Sequence, residues 1–151
     1  MRLSTKGRYA VTAMFDLALH EHEGPVPLTE ISMCQTISLS YLEQLFAKLR
    51  RNGLVVGVRG VGGGYRLGRP SSKITIADIL RAVDEKVDVS RATDGEPDMA
   101  QSLWLEFSEK LYSYLDERTL ADCISRPWAR RISLRQDTEN QRGGAAQTRA
   151  A

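Results

Sequence analysis

Residues 38–67 read SLSYLEQLFAKLRRNGLVVGVRGVGGGYRL, and two local patterns meet in them. The first is an amphipathic helix. Leu42, Leu45, Phe46 and Leu49 recur at i, i+3, i+4 and i+7 and form one apolar stripe. Ser40 with Glu43 three residues on has the form of a capping box, with Ser38 as a second candidate cap. Gly53 stands where a left-handed residue ends a helix. The opposite face carries Ser40, Glu43, Gln44, Ala47, Lys48 and Arg51: short or planar polar groups first, then positive charge. The second pattern is a hairpin, Leu54 to Val58, a loop from Arg59 to Gly64, then Tyr65 to Leu67. A helix able to enter a groove, followed by a basic glycine-tipped hairpin, is the sequence form of a winged helix-turn-helix.

The helix taken alone reads equally well as an ordinary surface helix with a solvated polar face. The hairpin shifts the reading. Its glycines are not a nucleotide loop, because no Gly-Lys-Ser/Thr follows and no helix starts behind them. Adjacent glycines let a backbone approach another surface closely. With Arg59 and Arg66 bracketing them, they suit a minor groove or a phosphate wall.

Outward from this stretch, the charge divides unevenly. Residues 1–83 hold 11 Lys/Arg against 6 Asp/Glu, whereas residues 84–118 hold 4 against 10, so the basic part coincides with the helix and hairpin. A net charge of +2 for the 151 residues hides this split. The spacing predicts a helix from Ser4 or Thr5 to about His20 with Val11, Met14, Phe15 and Ala18 buried and with His20 and His22 on the surface. The Gly24–Pro27 break predicts a short extended piece pairing with the hairpin. Leu28 to Gln35 reads as the first helix of the helix-turn-helix, with Leu28, Ile31 and either Cys34 or Gln35 turned inward, and Thr36-Ile37 as the turn. Thr75 and Asp78 form a second capping-box pattern, for a helix from Ile76 to Val83.

Residues 84–98 have no periodicity and read as a loop. Met99 to Glu117 reads as a long helix on which Trp104, Phe107, Leu111 and Tyr114 recur at helical spacing. That aromatic area predicts a dimer helix, since a helix-turn-helix reader of a two-fold site needs two copies. A short terminal helix follows to about residue 125, and residues 126–151 are expected to be a disordered tail. The expected fold is therefore mainly α with a small β wing: a winged helix-turn-helix domain over 1–83 (helix-turn-helix about 28–51, wing about 54–67) plus a long dimerisation helix within 99–125.

Cys34 and Cys123 are far apart and form no CxxC pattern, so they read as free thiols. No apolar run is long enough to span a membrane, and the N-terminus lacks the form of a signal peptide, so a cytoplasmic protein is expected. No nucleophile–base spacing, metal cluster or nucleotide loop is present, so no enzymatic activity is expected and no metal ligand is assigned.

The blocks MRLSTKGRYAVTAM, ISLSYLEQLFAKLRRNGLV, VRGVGGGYRLG and ILRAVDEKVDVSR, in this order, closely resemble the Rrf-two family of bacterial winged-helix transcription regulators, its iron–sulfur cluster biogenesis members in particular. The likeness runs nearly without gaps over 1–91 and continues more weakly through SLWLEFSEKL and TLAD. The resemblance implies a homodimer bound to double-stranded DNA at two-fold promoter operators. It implies recognition-helix contacts from Ser38, Ser40, Glu43 and Gln44, and a wing contact from Arg59. Tyr41, Lys48, Arg50, Gly60 and Gly62 complete the expected interface. Family members with a 2Fe-2S cluster carry three cysteines and a histidine in the loop before the long helix. Here the loop RATDGEPDMAQSLW has neither residue type: the first cysteine position falls on Ala92, and the last cysteine and the histidine fall on Asp98 and Gln101. Thiolates are the usual ligands of such clusters, so no cofactor is expected. The function expected is a repressor, or dual regulator, of iron–sulfur or related genes. The alternative is a cluster-independent thiol-sensing or protein-interaction module using Cys34 or Cys123.

Overall fold

A computed structural model describes residues 3–84 and 98–127. The described elements are α1 (Thr5–His20), α2 (Leu28–Gln35), α3 (Leu39–Arg51), β1 (Val55–Val58), β2 (Gly64–Leu67), α4 (Ile76–Ala82), α5 (Met99–Glu117) and α6 (Leu120–Ile124). β1 and β2 form an antiparallel hairpin in which Val55 faces Leu67 and Val58 faces Gly64. The expected mainly helical fold with a β wing is present.

The local chemistry explains where the elements start. Ser4 caps α1, its hydroxyl oxygen accepting from the Gly7 N–H at 3.3 Å. Thr75 and Asp78 close a full capping box on α4, each side chain accepting from the other's backbone N–H at 3.1 Å. The cap of α3 differs from the expected box. Ser38, not Ser40, is the N-cap and accepts from the Tyr41 N–H at 3.3 Å, while Ser40 and Glu43 lie inside the helix and point to solvent. Thr36 takes the left-handed conformation, φ 55°, in the turn between α2 and α3. Gly53 does so after α3, φ 70°.

α1 is the hub, packed by α2, α4, α6 and β2. Its fully buried positions are Ala10, Ala13, Met14 and Leu17, with Gly7 and Asp16 also buried. Of the expected stripe only Met14 is fully buried; Val11, Phe15 and Ala18 are half-buried against the core. A helix surrounded on several sides buries small residues where its neighbours come nearest, which an apolar-spacing count overlooks. α3 contributes the expected Leu42, Leu45, Phe46 and Leu49, all buried. α4 contributes Ile76, Ile79 and Leu80 and ends at Ala82, one residue before the expected Val83.

The short α6 returns to this core. Leu120 is fully buried, its N–H donates to the Ile74 carbonyl at 2.9 Å, and Thr119 forms an antiparallel bridge with Thr75. So the region read as a separate dimerisation unit has its last helix folded into the first domain. The expected loop over 84–98 and tail over 126–151 lie almost wholly outside the described residues.

The wing is fastened to the body from its far strand. Val26 and Tyr65 exchange backbone hydrogen bonds of 2.9 and 2.8 Å, which is the expected pairing of the extended piece with the hairpin. Gly64 lies against that bridge: a Cβ there would stand 2.5 Å from the Val26 carbonyl carbon and oxygen. Gly64→Ala is therefore expected to lower stability by about 1–3 kcal/mol. Urea unfolding checks this, and an unchanged midpoint would show that the wing's attachment is not close-packed.

Candidate nucleic-acid interface

On α3 the exposed face carries Ser40, Glu43, Gln44, Arg50 and Arg51, with Ala47 and Lys48 half-buried at its margins. Ser38 is exposed at the helix start. The buried stripe holds the opposite side of the helix against the core, so the polar face turns outward by the helical period. Tyr41 is half-buried, its ring edge-on to Tyr9 at 5.8 Å between centroids. Its packing is one anchor of the helix start, a role the expected DNA contact does not include.

The hairpin is joined to α3 through its interior. Phe46 is fully buried and meets the Tyr65 ring edge-on at 4.9 Å. The backbone carbonyl of Glu21 accepts from Arg66 Nη1 at 3.4 Å, and its carboxylate accepts from the Leu67 N–H at 2.8 Å. Arg66 is thus held to the body rather than to the tip. Arg59, Gly60, Val61 and Gly62 at the tip are all exposed. Gly60 (φ 101°) and Gly62 (φ 73°) supply the positive dihedrals of the turn, which the Gly63 N–H closes on the Gly60 carbonyl at 3.0 Å. The tip therefore exposes main chain with one apolar side chain, Val61, and one cation, Arg59.

The cations at the C-terminal end of α3 are partly engaged. Lys48 Nζ donates to Asp84 Oδ2 at 2.6 Å. The Lys48 ammonium, by hydrogen bond and by charge, holds the Asp84 carboxyl below the usual carboxylate range. So the expected phosphate contact of Lys48 already has an anionic partner in the free chain.

Sequence reasoning also missed a polar network behind α2. Asp16 is buried on α1. Gln35 Nε2 donates to its Oδ2 at 2.7 Å, and His20 Nδ1 lies 2.9 Å from its carbonyl oxygen and 3.1 Å from its Oδ1. His20 is consequently 17% exposed and not the surface residue expected, whereas His22 is exposed. The detectable signal was Asp16 on the buried side of an apolar helix, four residues before a histidine. This network ties the end of α2 to α1 just before the turn into α3.

On α5 the expected aromatic stripe divides. Trp104 (48%), Phe107 (46%) and Tyr114 (50%) are exposed, with Leu103 beside them. Leu111 instead packs half-buried against the domain's own core with Tyr112 and Leu115. Arg81 Nη2 donates to Asp116 Oδ2 at 2.7 Å and so fixes the C-terminal end of α5 to α4. The two thiols are half-buried, and burial pushes that of Cys123 up, which disfavours its reactive thiolate.

These elements define a DNA-binding transcription regulator of the winged-helix class. The chain belongs to the Rrf2 family, described as iron-dependent transcriptional regulators, whose model matches residues 3–126. It is 49% identical over 148 residues to the HTH-type transcriptional regulator IscR of Xenorhabdus nematophila, covering 94% of this chain and 90% of that one. It is 48% identical, with the same coverage, to IscR of Yersinia enterocolitica. Among solved structures, the CymR global cysteine regulator of B. subtilis superposes with a TM-score of 0.75 at 38% identity, covering 83% of this chain and 97% of that one. T. potens IscR superposes with a TM-score of 0.71 at 42% identity, covering 83% and 87%. The chain is a regulator and not an enzyme. Among the described residues no helix is long and apolar enough to cross a membrane.

The donor set does not fit the family's iron–sulfur cluster. Asp98 uses Oδ1 to cap α5, accepting from the Gln101 N–H at 2.8 Å. Gln101 offers an amide, Ala92 offers no donor, and the two cysteines stand on α2 and α6. A cluster held by thiolates has no matching ligands at those positions.

Glu43 is the one carboxylate on the exposed face of α3. Its carboxylate can accept from cytosine N4 and repels edges that offer only acceptors. Glu43→Ala is expected to broaden the set of duplexes recovered from a random pool. An unchanged consensus would remove Glu43 from sequence discrimination.

Proposed function

We propose that this chain is a homodimeric repressor of iron–sulfur cluster assembly or related genes, binding two-fold operators without a cluster of its own. The observation that carries the reading is the exposed polar face of α3, joined through Phe46 and Tyr65 to a side-chain-poor wing tip. Each α3 enters a major groove, the half-sites lying about one helical turn apart. Ser38, Ser40, Glu43 and Gln44 meet base edges. Arg50 and Arg59 contact phosphates, with Lys48 at the helix margin, and Gly60 and Gly62 let the wing backbone approach the adjacent groove. The similarity to IscR proteins supports the choice of target genes. The exposed Leu103, Trp104, Phe107 and Tyr114 on α5 support a second copy of the chain as their cover, since a contiguous apolar face of this kind marks an association surface.

Two variants test the reading. Arg59→Ala is expected to weaken operator binding and to flatten its salt dependence by about one unit per protomer in the log–log slope. An unchanged affinity and slope would exclude the wing. Phe107→Glu is expected to sediment as a monomer and to lose about 10²-fold in operator affinity, because the second half-site no longer binds intramolecularly. A dimer of unchanged affinity would exclude α5 as the pairing surface.

A further inference from the structure

The C-terminal turn of α3 contains an anion site that the chain fills with its own carboxylate. Asp84 follows α4 and carries its side chain, 75% exposed, to Lys48 Nζ at 2.6 Å. Arg51 lies alongside, and the two helix ends frame a cavity of about 200 Å³ lined by Lys48, Arg51, Asn52, Ala82 and Asp84. Lys6 Nζ, from the first turn of α1, donates to the Asp84 carbonyl at 3.5 Å. Asn52 Nδ2 donates to the Lys48 carbonyl at 2.9 Å and to the Ala82 carbonyl at 3.5 Å, fixing the end of α3 to the end of α4. Three cations from two helices therefore gather around one carboxylate at the margin of the face that meets DNA.

The geometry points to Asp84 as an internal stand-in for a DNA phosphate: it occupies Lys48 in the free chain, must be displaced when DNA binds, and so sets the affinity of the dimer. The inference rests on the DNA-binding reading above and adds a competitor to it. A carboxylate and a phosphate diester oxygen are both anionic acceptors for an ammonium, so one can replace the other on Lys48, the displaced Asp84 carboxylate being left to solvent. Both partners are solvent-accessible, and an exposed ion pair of this kind is weak enough to exchange. Asp84 is also the first residue of the acidic stretch 84–98, which matches the family's cluster-binding loop. Whatever draws that residue away from Lys48 returns a phosphate contact to α3.

The backbone supplies a conservative test. Asp84 has φ 58°, in the left-handed region that asparagine also tolerates, so Asp84→Asn keeps the shape and removes the charge. Wild type, Asp84→Asn, Lys48→Ala and the double variant are titrated at several salt concentrations onto one duplex that wild type selects from a random pool. Thermal unfolding of each confirms that it is folded. Asp84→Asn is expected to bind about threefold tighter per protomer at low salt, the gain shrinking as salt weakens the exposed Lys48–Asp84 pair, so that its log–log salt slope is modestly steeper. Lys48→Ala is expected to erase that gain in the double variant. If wild type selects and binds its duplex but Asp84→Asn matches it in affinity and slope, Asp84 is no competitor. A gain that persists without Lys48 would equally overturn the inference. If wild type binds no duplex at all, the DNA-binding reading itself has failed, and the competitor with it.

Discussion

The contact between Phe46 and Tyr65 joins α3 to the wing, the two parts proposed to meet DNA. Phe46 belongs to the recognition helix and Tyr65 to the second wing strand, and their rings meet edge-on in the interior. Neither part would be well placed alone. A two-stranded hairpin is marginally stable in isolation, and an amphipathic helix of 13 residues needs a surface to lie on. Tyr65 also bonds by its backbone to Val26, so the wing, the recognition helix and the segment before α2 are held at a single residue. The glycine at 64 is the condition for that closeness.

The same economy governs the rest of the chain. α1 lies against α2, α4, α6 and β2, and α6 contributes Leu120 to a core otherwise built before residue 84. The C-terminal half of α5 is carried along by this return, with Leu111, Tyr112 and Leu115 leaning on the core and Asp116 held by Arg81. Trp104, Phe107 and Tyr114 are left exposed on the same helix. One helix thus has an apolar side packed within the chain and another left exposed, and Leu111 departs from the aromatic series it shares by spacing because it lies on the packed side.

Features set by short-range rules were readable in the sequence. The stripe of α3, the box at Thr75 and Asp78, the glycine at 53 and the hairpin all depend on residues close together in the chain. Most of what escaped depends on distant partners, the cap of α3 being the exception. Ser40 and Glu43 have the right spacing for a cap, but the helix begins earlier because the chain leaves its left-handed turn at Thr36 and Ser38 is already in position. Asp16 and His20 read as ordinary helix residues until Gln35, on α2, reaches the buried carboxylate. Lys48 reads as a free cation until Asp84 is placed beside it by α4. For Asp16 and Lys48 the deciding group comes from another element, and no local window contains it.

The iron-dependent description of the family and the donors of this chain pull in different directions. The recognition helix, the wing and their supports are assembled by packing among the described residues, and no part of that packing calls for a metal ligand. On the proposed reading this surface binds its operator without an iron–sulfur cluster. The most direct measurement is an anaerobic preparation of the full chain, assayed for visible absorption, iron and acid-labile sulfide, with operator affinity determined on the same sample. A colourless, iron-free dimer that binds DNA is the expected result. A coloured, iron-loaded protein that loses operator binding when the iron is removed would contradict it.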